Sequence, residues 1–227
     1  MLGPNGCGKS TLLRTLAGLQ PALGGRCTVE NPDEIDINVM SEKEKARCFA
    51  IVLTERLSAD NATVEDIVAM GRYPYSDWLG ALTGEDRRII GEALEQTEMS
   101  GCRGRFFNEL SDGEKQRVLI SKALAQQTPY IFLDEPTAHL DLPNRIKTLL
   151  LLRELAHHKD KAVVISTHEL DLALQIADTI WLMTPGQGVA IGTPANLVEN
   201  GAFQRAFADP HFVFEQAEGA LRIRIIE

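Results

Sequence analysis

Apolar residues follow two alternating spacings along most of this chain of 227 residues. Short continuous apolar runs, which are typical of buried strands, occupy residues 49–53, 130–133, 162–166 and 179–184. Apolar residues that recur every three or four positions, as on one face of a helix, occupy residues 11–19, 142–157 and 170–177. Such alternation predicts an α/β fold in which helices flank a mainly parallel sheet.

Polar motifs predict where further helices begin. A Ser or Thr stands three residues before an acidic side chain, as in a capping box, at Ser41, Thr63, Thr83 and Ser111. We expect the helix opened by Thr63 to end at Gly71. Because helical segments with charged faces dominate residues 55–125, we interpret them as a helical subdomain inserted within a single domain that covers residues 1–227.

The remaining segments predict shorter elements. Residues 26–30 and 34–38 are expected to be strands joined by a turn at residues 31–33. Near the end of the chain we predict a turn at residues 186–188 and a helix that begins at Thr193-Pro194. A hairpin is expected to pair residues 212–216 with residues 221–226.

Residues 2–10 read Leu-Gly-Pro-Asn-Gly-Cys-Gly-Lys-Ser and fill every fixed position of the phosphate-binding pattern G-x-x-x-x-G-K-[ST]. Glycines let the backbone N–H groups face the β-phosphate, Lys9 spans the β and γ oxygens, and Ser10 offers a hydroxyl to Mg²⁺. The helix that follows directs its positive end at the phosphates, and Gly18 is placed to end it. The predicted ATP-binding residues are Gly3, Pro4, Asn5, Gly6, Cys7, Gly8, Lys9, Ser10 and Thr11. The alternative is a glycine-rich turn before an ordinary helix.

A second group of candidate residues follows the apolar run at residues 130–133. Asp134 and Glu135 stand at the end of this predicted strand, where open α/β sheets bind their ligands. We interpret Asp134 as a Mg²⁺ ligand and Glu135 as the base that polarises the water attacking the γ-phosphate. A pair of acidic residues at a strand end is common by itself, so this interpretation depends on the phosphate-binding motif.

Composition narrows the class of protein. A net charge of −9 argues against general nucleic-acid binding, which requires a basic surface. No run of about eighteen apolar residues predicts a membrane span. The four cysteines lack metal-ligand spacing and suit a reducing cytosol, and Cys7 lies within the predicted phosphate loop, where a thiol reagent is expected to block nucleotide.

Residues 110–116, Leu-Ser-Asp-Gly-Glu-Lys-Gln, resemble the Leu-Ser-Gly-Gly-Gln signature of ATP-binding cassette (ABC) ATPases. The order of motifs agrees with that family, because the signature precedes the Asp134-Glu135 strand, the Ala138-His139-Leu140-Asp141 segment and His168. The whole chain therefore resembles an ABC transporter ATPase subunit, which implies a P-loop NTPase fold with an inserted helical subdomain and ATP and Mg²⁺ as ligands.

The resemblance also implies roles for particular residues. Such cassettes form head-to-tail homodimers, in which the signature residues of one chain close over the γ-phosphate held by Lys9 of the other. The implied signature residues are Ser111, Asp112, Gly113 and Glu114. Asp141 corresponds to the segment that communicates across the dimer, and His168 to a catalytic histidine that contacts the γ-phosphate. The other histidines, including His139 and His211, receive no role.

The sequence departs from the family pattern at three places. Thr54 stands where the family has a glutamine that reaches Mg²⁺, and Glu55 is a candidate substitute. Asp112 and Glu114 add negative charge to the signature. A strand and an aromatic residue that stacks on adenine precede the phosphate loop in the family, whereas only Met1 and Leu2 precede it here. We expect either a start further upstream or a truncated cassette, and we predict that residues 1–227 alone fold poorly and bind ATP weakly.

Residues 72–75, Arg-Tyr-Pro-Tyr, and residues 78–80, Trp-Leu-Gly, resemble the helical insertion of importers for iron-siderophores, haem or cobalamin. In that family the region docks on a transmembrane permease at the cytoplasmic face of the inner membrane, and an external substrate-binding protein delivers the cargo. The alternative is an aromatic cluster that only packs within the insertion.

Two other functions remain open from the sequence. The first is a soluble cassette ATPase that acts on nucleic acid or ribosomes, although such proteins usually carry paired cassettes, coiled coils or basic stretches. The second is a non-catalytic, truncated cassette, which the missing upstream strand and Thr54 would favour and which Glu135 and His168 argue against.

Overall fold

The computed structural model describes residues 1–30, 34–54, 59, 61–76, 80–158, 161–207, 212–217 and 220–225. The predicted turn at residues 31–33, the candidate Glu55, the Trp78-Leu79 pair and His211 lie outside these residues. The chain forms two compact units. The first unit comprises Met1–Leu13 and Ile165–Glu227, and the second comprises Arg14–Val164.

Strands and helices alternate as the apolar spacing predicts. The strands are β1 Thr28–Glu30, β2 Glu34–Asp36, β3 Phe49–Val52, β4 Tyr130–Asp134, β5 Ala162–Ser166, β6 Ile180–Thr184, β7 Gly188–Gly192, β8 Phe212–Ala217 and β9 Ala220–Ile225. The helices are α1 Lys9–Leu16, α2 Glu42–Cys48, α3 Val64–Ala69, α4 Gly84–Gln96, α5 Asp112–Ala125, α6 Leu142–His158, α7 Leu170–Ile176, α8 Pro194–Glu199 and α9 Ala202–Ala206. The predicted α/β architecture is confirmed.

In the second unit, a parallel pair of buried strands forms the framework. β3 and β4 pair in register from Phe49 opposite Tyr130 to Val52 opposite Leu133. β4 lies between β3 and β5 in sheet order. The Phe49 ring contacts the rings of Tyr130 and Phe132, with centroids 5.6 and 5.7 Å apart. Two parallel strands therefore end at one sheet edge, which Thr54 and Asp134 occupy.

In the first unit, Leu2 joins two other segments of the chain by backbone pairing. It forms parallel bridges with both Thr167 and Leu182. Its N–H donates to Trp181 O (2.9 Å), and its own carbonyl accepts from Met183 N (2.8 Å). Leu2 is 1% exposed and belongs to an apolar cluster with Ile180, Leu182 and Phe203. The residue before the phosphate loop is thus fixed both by backbone hydrogen bonds and by apolar packing.

The helix starts follow the sequence closely. Ser41, Thr63, Thr83 and Ser111 each form a reciprocal capping box with the acidic residue three positions later. One predicted helix end is wrong. The α3 helix stops at Ala69, and Gly71 lies within a 3₁₀ turn, Met70–Arg72, that continues it. The sequence analysis predicts neither β7 nor α9.

Asp86 on α4 predicts how stability depends on pH. Hydrogen bonds from the Thr83 hydroxyl and the Arg72 guanidinium lower the pKa of Asp86 from 3.8 to about 2. Because the folded pKa is lowered, the stabilisation is present above pH 4 and is lost as the pH falls from about 4 to 2. We expect Asp86→Asn to cost about 2 kcal/mol at pH 7 and about half as much at pH 3. Urea unfolding at both values tests this.

Glu95→Gln is the matched control for the Asp86 experiment, because Glu95 is an exposed carboxylate on the same helix. It should leave the unfolding midpoint unchanged at both pH values. If Asp86→Asn lowers the free energy of unfolding equally at pH 7 and pH 3, the lowered pKa of Asp86 is contradicted.

Candidate nucleotide site

The phosphate loop has the backbone that its glycines predict. It runs from Gly3 to the start of α1, and Leu12 N donates to Gly8 O at 2.8 Å, so the helix begins directly behind the loop. Gly6 and Gly8 have φ values of +78° and +98°, which residues with a Cβ rarely adopt. Gly18, at φ +70°, ends the helix as expected, because Gly18 N donates to Thr15 O.

Lys9 lies against the loop that it follows. The side chain is buried, and its ammonium donates to Gly3 O (2.9 Å) and Pro4 O (3.2 Å). An ammonium has three protons, so these two contacts leave donor capacity for a phosphate oxygen. The loop backbone thus positions a single charge at the N-terminal end of α1, where the helix dipole also favours an anion.

The structure places His168 and the phosphate loop at the same edge of the first unit's sheet. Leu2 and Thr167 form a parallel bridge, and Thr167 N donates to Met1 O at 3.0 Å. Parallel neighbouring segments run in the same direction, so the residues that follow them emerge at the same edge of the sheet. Gly3 follows Leu2 and His168 follows Thr167, so both lie at that edge. These residues are more than 160 positions apart in the sequence, so only the folded structure shows that they are neighbours.

Cys7 provides a chemical test of the loop. Its thiol is free and partly exposed, and a Cβ on Gly3 would come within 2.8 Å of its Sγ, so the sulfur lies close to the loop backbone. We expect alkylation with N-ethylmaleimide to reduce ATP binding at least about tenfold, because the adduct occupies the space of the phosphates. Equilibrium binding of a fluorescent ATP analogue measures this.

The control for alkylation is Cys7→Ala, which keeps Cys27, Cys48 and Cys102 and should bind ATP equally before and after the reagent. Prior addition of ATP should slow modification of Cys7 in the unmodified protein. Equal inhibition of the Cys7→Ala variant would show that another thiol is responsible.

Asp134 is the last residue of β4 in the second unit, and Glu135 follows it directly. Asp134 is buried, and Glu135 is half-buried and has a φ of +50°, a left-handed conformation that is uncommon for a non-glycine residue. The Thr54 hydroxyl donates to Asp134 O at 2.9 Å. Thr54 therefore supports the backbone at the strand end.

The signature residues surround the start of α5. The Ser111 hydroxyl and backbone N–H both donate to Glu114 Oε2 at 2.8 Å. Arg105 donates to the other carboxylate oxygen at 3.1 Å. Hydrogen bonds from Ser111 and, to a smaller extent, the Arg105 charge lower the pKa of Glu114. The extra negative charge of Glu114 is thus paired within the chain, which the sequence did not reveal because Arg105 lies outside the motif.

A second contact joins the signature to Asp141. A Cβ on Gly113 would lie 3.0 Å from Asn144 Cγ, so no larger residue fits without displacing Asn144. Asn144 N in turn donates to Asp141 Oδ1 at 3.0 Å, which caps α6. The structure therefore links two family motifs within one chain through Asn144, a residue that no motif singled out.

The chemistry of these groups fits a Mg²⁺-bound nucleoside triphosphate. Gly6 and Gly8 adopt the turn that directs N–H groups inward, and Lys9 retains a donor for phosphate. The Ser10 hydroxyl and the Asp134 carboxylate are oxygen ligands of the kind Mg²⁺ prefers. Ser10 and Asp134 belong to different units, so their shared role stays a prediction, as do those of Asp141 and His168.

A phosphate loop ahead of a helix, an acidic strand end and a capped signature helix together define a nucleotide-binding cassette of the P-loop class. This chain belongs to the ABC transporter family, whose model matches residues 1–138. The resemblance proposed from the motifs is confirmed.

Relatives include ATP-binding proteins of several importers. An ABC transporter ATP-binding protein of Methanocaldococcus jannaschii is 42% identical over 200 residues, covering 88% of this chain and 68% of the relative. The cobalamin import ATP-binding protein BtuD of Halobacterium salinarum is 36% identical, covering 91% and 51%. The hemin import ATP-binding protein HmuV of Streptomyces coelicolor is 38% identical, covering 98% and 78%. The chain thus spans about half to three quarters of these relatives.

Solved structures give the same family. A metal-chelate type ABC transporter in an inward-facing conformation has a TM-score of 0.81 and 29% identity, covering 99% of this chain and 83% of that one. A dimeric ATP-binding cassette bound to ADP and Pi has a TM-score of 0.70 and 28% identity, covering 85% and 83%.

In the part of the chain that the structure describes, no helix is both long and apolar enough to cross a membrane. No group of three or more His, Cys, Asp or Glu side chains there is arranged to hold a metal ion.

Proposed function

We propose that this chain is the ATP-hydrolysing subunit of an ABC importer that drives uptake of an iron-siderophore, haem or cobalamin. The observation that carries the proposal is the Leu2–Thr167 bridge, which sets the phosphate loop and His168 side by side at one sheet edge. The names of the relatives support the importer class, because cobalamin and hemin importers are among them.

The proposed chemistry divides the work among a few side chains. Lys9 and the loop N–H groups hold the β- and γ-phosphates, and Glu135 accepts a proton from the attacking water. His168 holds the γ-phosphate from the neighbouring strand end. Mg²⁺, held by Ser10 and Asp134, would neutralise charge on the phosphate oxygens.

The proposed active form is a head-to-tail homodimer. In it, Ser111 and Gly113 at the start of α5 close over the nucleotide held by the partner, and the positive end of a 14-residue helix gives this contact a physical reason. Asp112 and Glu114 belong to the same contact, and Asp141 would report on the second site. A dimeric cassette among the solved structures supports this arrangement.

The proposed membrane partner is a permease at the cytoplasmic face of the inner membrane, where this chain would be peripheral. The helical subdomain at residues 55–125 would supply the docking surface. Tyr73, which is 60% exposed, is available for such a contact. An external substrate-binding protein would complete the system.

Fractionation and ATPase assays together test this function. The protein as its own cells make it should sediment with membranes after mild lysis, and transport substrate should stimulate its ATP hydrolysis. If the protein is recovered only with ribosomes, the importer function is wrong and the protein is a soluble cassette ATPase. If the protein does not hydrolyse ATP and its Glu135→Gln variant behaves in the same way, the chain is instead a non-catalytic cassette.

A further inference from the structure

Arg72 is a buried cation in the second unit, and the catalytic chemistry proposed above does not use it. Its side chain is 6% exposed and forms an ion pair with Asp86 of α4 at 2.7 Å. A buried pair of this kind usually contributes little net stability, because removing both charges from water costs about as much as their attraction returns.

The Arg72 guanidinium binds the C-terminal end of α5. Its NH1 atom donates to Ala125 O at 2.8 Å and to Gln127 Oε1 at 3.1 Å. The last carbonyls of a helix have no partner within that helix. Arg72 supplies one from a distant segment, so the end of the signature helix is held by the turn that follows α3.

Tyr75 makes a similar contact with Gln126, the residue that follows α5. Its hydroxyl donates to Gln126 O at 2.9 Å. The Arg72 guanidinium lies 4.1 Å from the centre of the Tyr75 ring, within the range of a cation–π contact. Arg72 and Tyr75 thus hold consecutive carbonyls of the same helix end and hold each other in position.

The backbone approach between the two segments is close. A Cβ on Gly71 would collide with Lys122 O and lie 3.1 Å from Ala125 Cβ. The turn at residues 70–72 therefore packs directly on the last turn of α5. A displacement of one segment along the other would disrupt several hydrogen bonds at once.

The same helix end is tied to the strand that leads to the acidic edge. The Gln126 side-chain amide donates to Ala46 O at 2.6 Å and to Phe49 O at 2.9 Å, at the junction of α2 and β3. The end of α5 is consequently joined both to the Arg72–Tyr75 segment and to β3.

We propose that Arg72 is a positioning residue that fixes the end of the signature helix, and so determines where Ser111 lies at the other end. The helix is about 20 Å long and behaves as a rod, so a shift at Ala125 moves Ser111. Tyr73 is exposed and adjacent to Arg72. A partner that binds at Tyr73 and displaces this segment would therefore change the position of the signature residues. This role rests on the proposed closing of the signature over a partner's nucleotide.

The experiment separates binding of ATP from closing of the dimer. Arg72→Met is introduced both alone and together with Glu135→Gln, which slows hydrolysis. We expect unchanged affinity for ATP in the monomer, an ATP-driven dimer at least tenfold weaker by light scattering, and kcat lowered with little change in KM. Arg88→Met is the matched control, because Arg88 is an exposed arginine on α4 that pairs with Glu85 and Glu92.

If Arg72→Met does not unfold cooperatively, Tyr75→Phe provides a second test. It removes one hydroxyl donor and leaves the Arg72–Asp86 pair in place. We expect a dimer three- to tenfold weaker, with ATP affinity and the unfolding midpoint close to those of the unmodified protein.

Two outcomes would overturn the positioning role. One is ATP-driven dimerisation of folded Arg72→Met equal to that of Arg88→Met, and the other is a Tyr75→Phe dimer as strong as the unmodified one. Failure of the proposed function itself would look different, because the unmodified protein would then neither dimerise with ATP nor hydrolyse it.

Discussion

Glu135→Gln is expected to hydrolyse ATP about 10²- to 10⁴-fold more slowly while it binds ATP at unchanged affinity. The amide keeps the size and hydrogen-bonding shape of the carboxylate but cannot accept the proton of the attacking water. Release of phosphate at saturating ATP and Mg²⁺ measures the rate, and a fluorescent ATP analogue measures the affinity.

Glu154→Gln on α6 is the matched control, since Glu154 is an exposed glutamate of the same unit. It should hydrolyse ATP at the unmodified rate. Full activity of the Glu135→Gln variant would remove Glu135 from the mechanism and direct attention to Asp134 or His168.

Lys9→Met is expected to weaken ATP binding about 10- to 100-fold, the usual range for losing a hydrogen bond to a charged group. The variant also leaves Gly3 O and Pro4 O without the ammonium that contacts them. The loop should therefore lose order as well as charge, and the unfolding midpoint should fall slightly. Calorimetric titration with ATP gives the affinity.

Lys43→Met, on the exposed side of α2, is the control for the Lys9 variant. It removes the same charge from the protein and should leave ATP affinity unchanged. Equal losses in both variants would mean that net charge, rather than the phosphate loop, determines binding.

The parts of the fold that depend on neighbours in sequence follow from the sequence. The capping boxes at Ser41 and Thr83 need only two side chains three residues apart, so their helices begin where predicted. The predicted helix end at Gly71 is wrong, because the chain continues there as a 3₁₀ turn. That turn packs against Lys122 and Ala125, which lie far along the sequence.

The candidate site divides in the same way. Lys9, Ser10 and Glu135 could be named because a motif fixes their residue types and spacing. Arg105 and Asn144 could not, because both lie outside the motifs. Arg72 belongs to the Arg-Tyr-Pro-Tyr stretch, but its contact with α5 could not be predicted from that stretch. Arg72 reaches the end of α5 from 53 residues away, and nothing in the local sequence indicates that contact. The roles of the predicted site residues stay predictions until the variants are measured.

At position 135, the residue that the proposed catalysis requires is not the residue that best suits the left-handed backbone. A glutamate is strained at φ +50°, whereas asparagine and glycine adopt such a conformation readily. Glu135→Gly and Glu135→Asn should therefore fold at least as well as the natural chain, while the proposed catalytic base is gone. Selection for folding alone would remove this carboxylate, and a search for stabilising substitutions should exclude the position.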